Sequence, residues 1–354
     1  MEVKLKDLED IFDNEIRKGV KNKQRILNFE KYKMEYLIDI KKVLDNNIYD
    51  GGRYNIFLIY KPKLRVVMSQ NIYDKIINHY VAKYILIPKL SKYLRKENCA
   101  TRKNMGTSYA IKLFKQYIED NKKYPNIYFL KIDISKFFYS LDHEVIKKLI
   151  INDLNEDEYK IICTILDSTN KDYVNIRISN LEKKINKELP RYTYGKGLPI
   201  GNQTSQFLAI LYLAKLQHYI KCNLHLKYFI NYMDDYVIIH HDKEYLKECL
   251  DVIKDKLDKE YLLKVNPKKT YIINAKEGIN FLGYTFKVIN KKTIIKLPKE
   301  TKVRIRKGIK RSKYLYLNNK ITLKQLFCSI QTYKYSYIFV SYKKVMETFA
   351  KYWY

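Results

Sequence analysis

The stretch LKYFINYMDDYVIIH, residues 226–240, decides how this chain is read. Two β-type runs, 226–231 and 236–240, flank Tyr232-Met233-Asp234-Asp235, a pattern that predicts a tight hairpin carrying two adjacent carboxylates at its tip. Adjacent carboxylates repel one another unless positive charge sits beside them. The usual occupant of such a tip is a pair of divalent cations, and the usual chemistry is nucleotidyl transfer. A solvated turn also favours aspartate, for its local hydrogen bonds, so the reading depends on what else the chain supplies.

Two-metal transfer needs carboxylates from at least two places in the chain, around ions ~3.5–4 Å apart. Asp133 is the second contributor: it follows the apolar run 127–132, so its carboxylate can emerge at the end of a buried strand. Its plain alternative is a residue that caps the next turn. Phe138 follows five positions later, where a bulky ring would exclude a ribose 2′-hydroxyl or simply fill core. Lys61, Lys63 and Arg65 surround a turn between two β-type runs, 54–60 and 64–69, and could aim cations at a triphosphate or stand solvated. Residues 197–206, GLPIGNQTSQ, form a glycine/proline turn leading into an apolar helix, where backbone can approach a base closely. Lys268-Lys269-Thr270 offers a cation, and a proton donor, to leaving pyrophosphate. Phe281-Leu282-Gly283-Tyr284 is a strand turn able to hold a primer end. A loop, a solvated basic turn and a core strand are the ordinary readings of these last three segments.

The composition agrees with a polyanion partner. The 354 residues carry 69 Lys+Arg against 38 Asp+Glu, a formal charge of +31, which favours nucleic acid. An AT-rich coding sequence would explain lysine over arginine and the 35 tyrosines, but not the excess of bases over acids. Hydrophobic residues make up 46% of the chain, enough for a real core. The five cysteines stand singly, which argues against a zinc site or a disulfide framework. The first residues mix charges within every turn, and no apolar run approaches the ~18 residues of a membrane span. The expectation is a cytoplasmic protein with no membrane contact.

Lysine-rich amphipathic helices occupy the first ~45 residues. Helices are expected at 72–94, 107–120, 143–188, 204–220 and 242–260, short strands at 270–274, 279–286 and 293–296, and basic helix from 299 onward. This order gives an α+β arrangement around a mainly antiparallel sheet.

Taken in order, KPKLR (61–65), DISKFF (133–138), GLPIGNQTSQ (197–206), YMDD (232–235), NPKKT (266–270) and FLGY (281–284) resemble the motif series of a reverse transcriptase. The resemblance runs from about residue 47 to 284, with a basic tail in the thumb position. It implies a right-hand polymerase fold: N-terminal helices and fingers in 1–126, palm in 127–290 with a finger insertion at about 143–200, and a helical thumb in 291–354. It implies Asp133, Asp234 and Asp235 as catalytic ligands of two Mg²⁺ ions, with Mn²⁺ as a substitute. Lys63, Arg65, Phe138, Ile200, Gly201, Gln206 and Lys269 would surround the incoming dNTP. Phe281, Leu282, Gly283 and Tyr284 would grip the primer, and Arg304, Arg306 and Arg311 would follow the nucleic-acid backbone. Template RNA and the cDNA/RNA heteroduplex are the implied partners. YMDD in place of GDD favours an RNA-directed DNA polymerase over an RNA replicase.

Many reverse transcriptases carry Q-G-x-x-x-S-P in the fourth block. This chain has Ile200-Gly201-Asn202-Gln203-Thr204-Ser205-Gln206, which resembles the enzymes of diversity-generating retroelements. That likeness extends to Tyr49, Tyr54, Phe57 and the 102–107 segment. It implies error-prone copying of a template-repeat RNA alongside a small basic, helical accessory oligomer. The alternative is a stand-alone antiviral-defence reverse transcriptase of the abortive-infection type. A catalytically dead RNA-binding scaffold is opposed by the three intact acidic positions. About seventy residues follow Tyr284, room for a thumb but not for an RNase H or integrase domain.

Overall fold

The computed structural model describes residues 2–60, 63–335, 338–340, 347 and 350–351; Lys61, Pro62 and parts of the expected thumb beyond 335 lie outside them. The N-terminal helices form as the apolar spacing predicts. In Lys33–Asp45 the buried residues Leu37, Ile40 and Leu44 fall on one face, the 3–4 spacing of an amphipathic helix. That face packs with the helix Ile72–Tyr80, which Asn71 caps by accepting from the Asp74 amide.

Strands β1 (Tyr54–Ile59) and β2 (Arg65–Gln70) make an antiparallel hairpin. Their alternation is that of a half-buried ribbon. Tyr54, Ile56, Val66 and Met68 turn inward onto Val174 and Ile178 of the helix Asp172–Ile185, while Phe57 and Ile59 are exposed.

The central sheet holds β3 (Tyr128–Asp133), β4 (Tyr228–Tyr232), β5 (Asp235–His240) and β6 (Tyr271–Asn274) in the order β4-β5-β3-β6, with every pair antiparallel. Both of its faces are covered. Leu130, Ile132, Tyr236 and Ile238 join the larger core, which includes the almost wholly buried helix Gln203–Tyr212 and the helix Lys243–Tyr261. Phe129, Val237 and Ile239 point the other way, onto Phe114 of the helix Thr107–Asn121. Period-2 alternation puts Lys131 and Asp133 on this second face with Phe129.

Three expected elements come out divided, and the helical segment at 143–188 is one of them, broken into His143–Ile150, Glu156–Asp167 and Asp172–Ile185. The strand expected at 279–286 is instead β7 (Ile279–Phe281) and β8 (Tyr284–Ile289), folded back on each other, with β9 (Lys292–Lys296) completing a three-stranded meander. The turn residues Leu282 (φ +46°) and Gly283 (φ +86°) are both left-handed, the geometry of the two-residue turns whose twist matches a hairpin. The helix expected at 204–220 is interrupted at Leu213, giving Gln203–Tyr212 and Ala214–Cys222.

The C-terminal basic segment forms the helices Lys299–Leu317 and Leu323–Tyr335. Among the described residues no helix is long and apolar enough to cross a membrane. The α+β class expected from the sequence is the class observed.

Candidate active site

The antiparallel register of β3 and β5 sets Asp133 directly opposite Asp235. Cross-strand partners project from the same face of a sheet, so two carboxylates separated by roughly a hundred residues in sequence meet at one sheet end. Asp234 occupies the turn between β4 and β5 beside Met233, whose φ is +58°. Its main-chain carbonyl accepts from the Ile134 amide at 3.3 Å, which fastens the hairpin tip to the chain leaving β3.

Each carboxylate has its own electrostatic setting. Asp133 is 8% exposed and receives the Lys269 ammonium on both oxygens, at 3.0 and 2.9 Å, together with the Asn266 amide at 3.1 Å. Asp234 is held above the ordinary carboxylate range by burial and by the neighbouring Asp133, with Lys269 and Arg65 acting against the shift. Asp235 is pushed up to about 6 by burial, with Lys131 opposing and the other two aspartates adding to the rise. Lys131 Nζ lies 3.1 Å from Asp235 Oδ2 and donates to the Asn280 carbonyl at 2.8 Å. Asp235 Oδ1 is buried with no hydrogen-bond partner.

This donor set has the chemistry of a hard divalent-cation site: carboxylate oxygens, a surplus of negative charge and an orphaned buried oxygen. Among the described residues no group of three or more acidic, His or Cys side chains is gathered closely enough to hold one ion. Two ammonium groups, Lys269 on Asp133 and Lys131 on Asp235, supply positive charge in this state. Lys269 is half exposed and can leave Asp133; Lys131 is 13% exposed and anchored at Asn280.

The structure brings Phe138 and the 197–206 turn together. The Leu198 amide donates to the Phe138 carbonyl at 2.7 Å and the Gly197 amide to Leu141 at 2.7 Å. Phe138 is half-buried beside Phe137, with ring centroids 5.8 Å apart. Ile200 gives its carbonyl to the Met68 amide at 2.9 Å, tying the turn to β2. Gly201 has φ +136°, and a Cβ there would lie 2.5 Å from the Met68 carbonyl oxygen. Only glycine permits that approach. Gln206 is half-buried in the helix Gln203–Tyr212. Arg65 and Lys63 are exposed, and the field of Arg65 reaches Asp234.

The FLGY segment is not a uniform grip. Phe281 is 1% exposed against Phe114 and Tyr284 is 7% exposed, so both rings belong to the core, and only Leu282 and Gly283 form the tip. On the helix Lys299–Leu317, Arg304 and Arg311 line one groove with Gly308 and Tyr333. Arg306, two residues from Arg304, stands about 200° around the helix at ~100° per residue, so the three arginines do not share a track.

Residue-by-residue sequence reading missed Lys131, Asn231, Gln217 and Asn266. Asn231, fully buried in β4, donates to the Met233 carbonyl at 2.7 Å and accepts from Gln217 at 3.0 Å. Its signal was present: a polar residue inside an apolar strand. Lys131 interrupts the apolar run before Asp133 in the same way.

The family profile described as reverse transcriptase (RNA-dependent DNA polymerase) matches residues 59–286. No curated protein matches the sequence. Two solved telomerase structures from Candida tropicalis share its fold. The apo enzyme aligns at TM-score 0.53 and 15% identity, covering 80% of this chain and 52% of that one. The complex with the TWJ fragment of telomeric RNA aligns at 0.51 and 13%, covering 85% and 55%. The chain thus spans about half the length of these structures.

Proposed function

The chain belongs to the reverse transcriptase (RNA-dependent DNA polymerase) family, and from that membership we propose that it copies a template RNA into cDNA with Asp133, Asp234 and Asp235 as the catalytic carboxylates. The observation that carries this reading is the β3–β5 register, which sets Asp133 opposite Asp235 with Asp234 in the adjoining turn. Two Mg²⁺ ions held by these carboxylates would activate the primer hydroxyl and balance charge on the phosphates, with Mn²⁺ as a substitute.

The surrounding side chains divide the remaining work. Arg65 and Lys63 meet the triphosphate. Lys269, half exposed beside Asp133, would supply its ammonium to the leaving pyrophosphate. Phe138 occupies the space a 2′-hydroxyl would need. Leu282 and Gly283, at the β7–β8 tip, position the primer end. Arg304 and Arg311 follow the backbone of the heteroduplex through its phosphates. In this reading the fingers, palm and thumb fall at residues 1–126, 127–290 and 291–354. Asp234→Asn tests the assignment: primer extension on an RNA template should fall by at least about 10³-fold with the fold retained, and near-native extension would refute it.

The finer reading is an error-prone enzyme of a diversity-generating retroelement, working with a small basic accessory protein. Its support is Ile200 in place of glutamine and Gln206 in place of proline. The backbone of Ile200 is fixed by Met68, while its side chain has no hydrogen-bonding group with which to sense the incoming nucleotide, so right and wrong pairs are poorly distinguished. Ile200→Gln should lower misincorporation opposite template adenine, read by sequencing the cDNA. An unchanged error spectrum would remove this account of infidelity.

A further inference from the structure

The 197–206 turn changes its support partway along. Its first residues are held by the segment after β3, where Gly197 and Leu198 donate their amides to Leu141 and Phe138. From Ile200 the β1–β2 hairpin and the helix Ile72–Tyr80 take hold as well. Ile200 accepts from the Met68 amide, the Asn202 side-chain amide donates to the Tyr54 hydroxyl at 2.7 Å, and the Thr204 hydroxyl donates to Asn78 Oδ1 at 2.7 Å. Three alternate residues are thus pinned to one neighbouring unit. Tyr54, Asn78, Asn202 and Thr204 are each no more than 3% exposed.

Neither side-chain contact stops at its first partner. Asn78 donates on to Gln70 Oε1 at 2.8 Å, Gln70 to the Tyr49 hydroxyl at 3.3 Å, and Tyr49 to Asp74 Oδ1 at 3.2 Å. The other Asp74 oxygen accepts from the Arg53 amide at 3.4 Å. Tyr54 meets Ser168 Oγ at 3.0 Å; Ser168 gives its only proton to the Ile165 carbonyl at 2.5 Å, so Tyr54 must donate. Both series therefore end on groups that only accept, a carboxylate and a main-chain carbonyl. Such one-way series admit a single arrangement of their amides and hydroxyls, and their members reinforce one another in a buried setting. Apolar side chains would bury as much surface without the desolvation cost of polar groups, but they would not fix where Asn202 and Thr204 stand. The unit that holds them also carries Arg65, at the start of β2, whose field reaches Asp234.

We propose that Tyr54 and Asn78 are positioning residues for polymerisation: acting through Asn202 and Thr204, they hold the 200–204 backbone where Ile200 and Gly201 meet the incoming nucleotide. The inference rests on the role proposed above for this turn in the nucleotide site.

Tyr54→Phe and Thr204→Val each remove one hydroxyl with little change of shape, and Thr204→Ser restores it. Steady-state primer extension on an RNA template, with KM for dNTP and kcat measured separately, tests the proposal beside amide exchange at residues 200–204. In both hydroxyl-free variants KM should rise at least fivefold with kcat within twofold of native, and exchange in the turn should quicken at least tenfold. Thr204→Ser should return both to within twofold of native. Ile253→Ala, a core truncation in the helix Lys243–Tyr261, controls for stability alone and should leave KM unchanged. A KM within twofold of native in both hydroxyl-free variants would overturn the proposal, whether or not exchange quickens. So would an equal rise in KM in Ile253→Ala, or a Thr204→Ser enzyme that behaves like Thr204→Val. Asp234→Asn separates this inference from the catalytic reading: native-like extension there strikes the catalytic assignment, whereas native KM values in the anchor variants of an enzyme that Asp234→Asn inactivates strike the anchors alone.

Discussion

Asp235 carries a charge the fold resists. Its carboxyl is pushed up to about 6 by burial, above the ordinary value of about 3.9. A raised carboxylate binds its proton more tightly folded than unfolded, so this group stabilises the protein below the unfolded value, and that contribution is lost as pH rises through about 6. Asp235→Asn should therefore raise the Tm of metal-free protein at pH 7.5, by roughly 1–3 °C, and the gap should narrow as pH falls through about 6 and close only below about 4, read by calorimetry across that range. A gap that widened toward acid would contradict the sign. Asn231 makes the opposite case. Asn231→Ala strips partners from the Met233 carbonyl and the Gln217 amide in a buried setting, at a cost of about 2–3 kcal/mol. By freeing the turn it should reduce kcat more than it changes KM for dNTP, measured in steady-state extension. Three non-glycine residues with left-handed backbone, Lys136, Met233 and Leu282, lie at the chain's exit from β3 and at two hairpin tips. Such conformations cost of order 1–3 kcal/mol each, and here they mark the segments proposed to hold metal and primer.

At the level of elements, the β1–β2 hairpin and the 197–206 turn are joined through one close approach. Gly201→Ala would drive a methyl into the Met68 carbonyl at a backbone angle that disfavours side chains. It should cost about 2 kcal/mol or more and raise KM for dNTP, measured by denaturant unfolding and steady-state kinetics; an unchanged denaturation midpoint would show that the turn can shift off β2. This contact was not legible in the sequence, because it depends on two segments more than a hundred residues apart. The β3 and β5 strands were legible, since one apolar run ends at Asp133 and the other starts just after Asp235. The FLGY hairpin was half legible. Its residues were singled out, but 279–286 carries the composition of one strand, and the reversal depends on Leu282 accepting a left-handed backbone that leucine seldom adopts. Lys131 was visible as an interruption of an apolar run, but its role was not: that needs β5 lying beside it with Asp235 one diagonal away.

Across the whole molecule, a formal charge of +31 makes the salt dependence of nucleic-acid binding a direct readout of which cations take part. Arg304→Ala/Arg311→Ala should flatten the slope of log K against log salt by about 1.4–1.8 for two lost phosphate contacts, equally for unrelated template sequences. Measured filter-binding slopes unchanged from native would place the backbone track elsewhere. The composition announced this electrostatic character; helical spacing already sets Arg306 on another side from Arg304, but which side meets solvent depends on the face the core claims through Ile305 and Ile309. The strand order β4-β5-β3-β6 carries one more consequence, for the chain while it is being made. β3 is the first of the four strands to be synthesised, yet both of its neighbours are made roughly a hundred residues or more later. Until then the ribosome-bound chain shows an apolar strand with two unsatisfied edges, the kind of surface that pairs with the wrong partner. Order of manufacture and order of assembly are opposed here, so chaperone supply during translation, more than the stability of the folded chain, should set how much of it a cell can make.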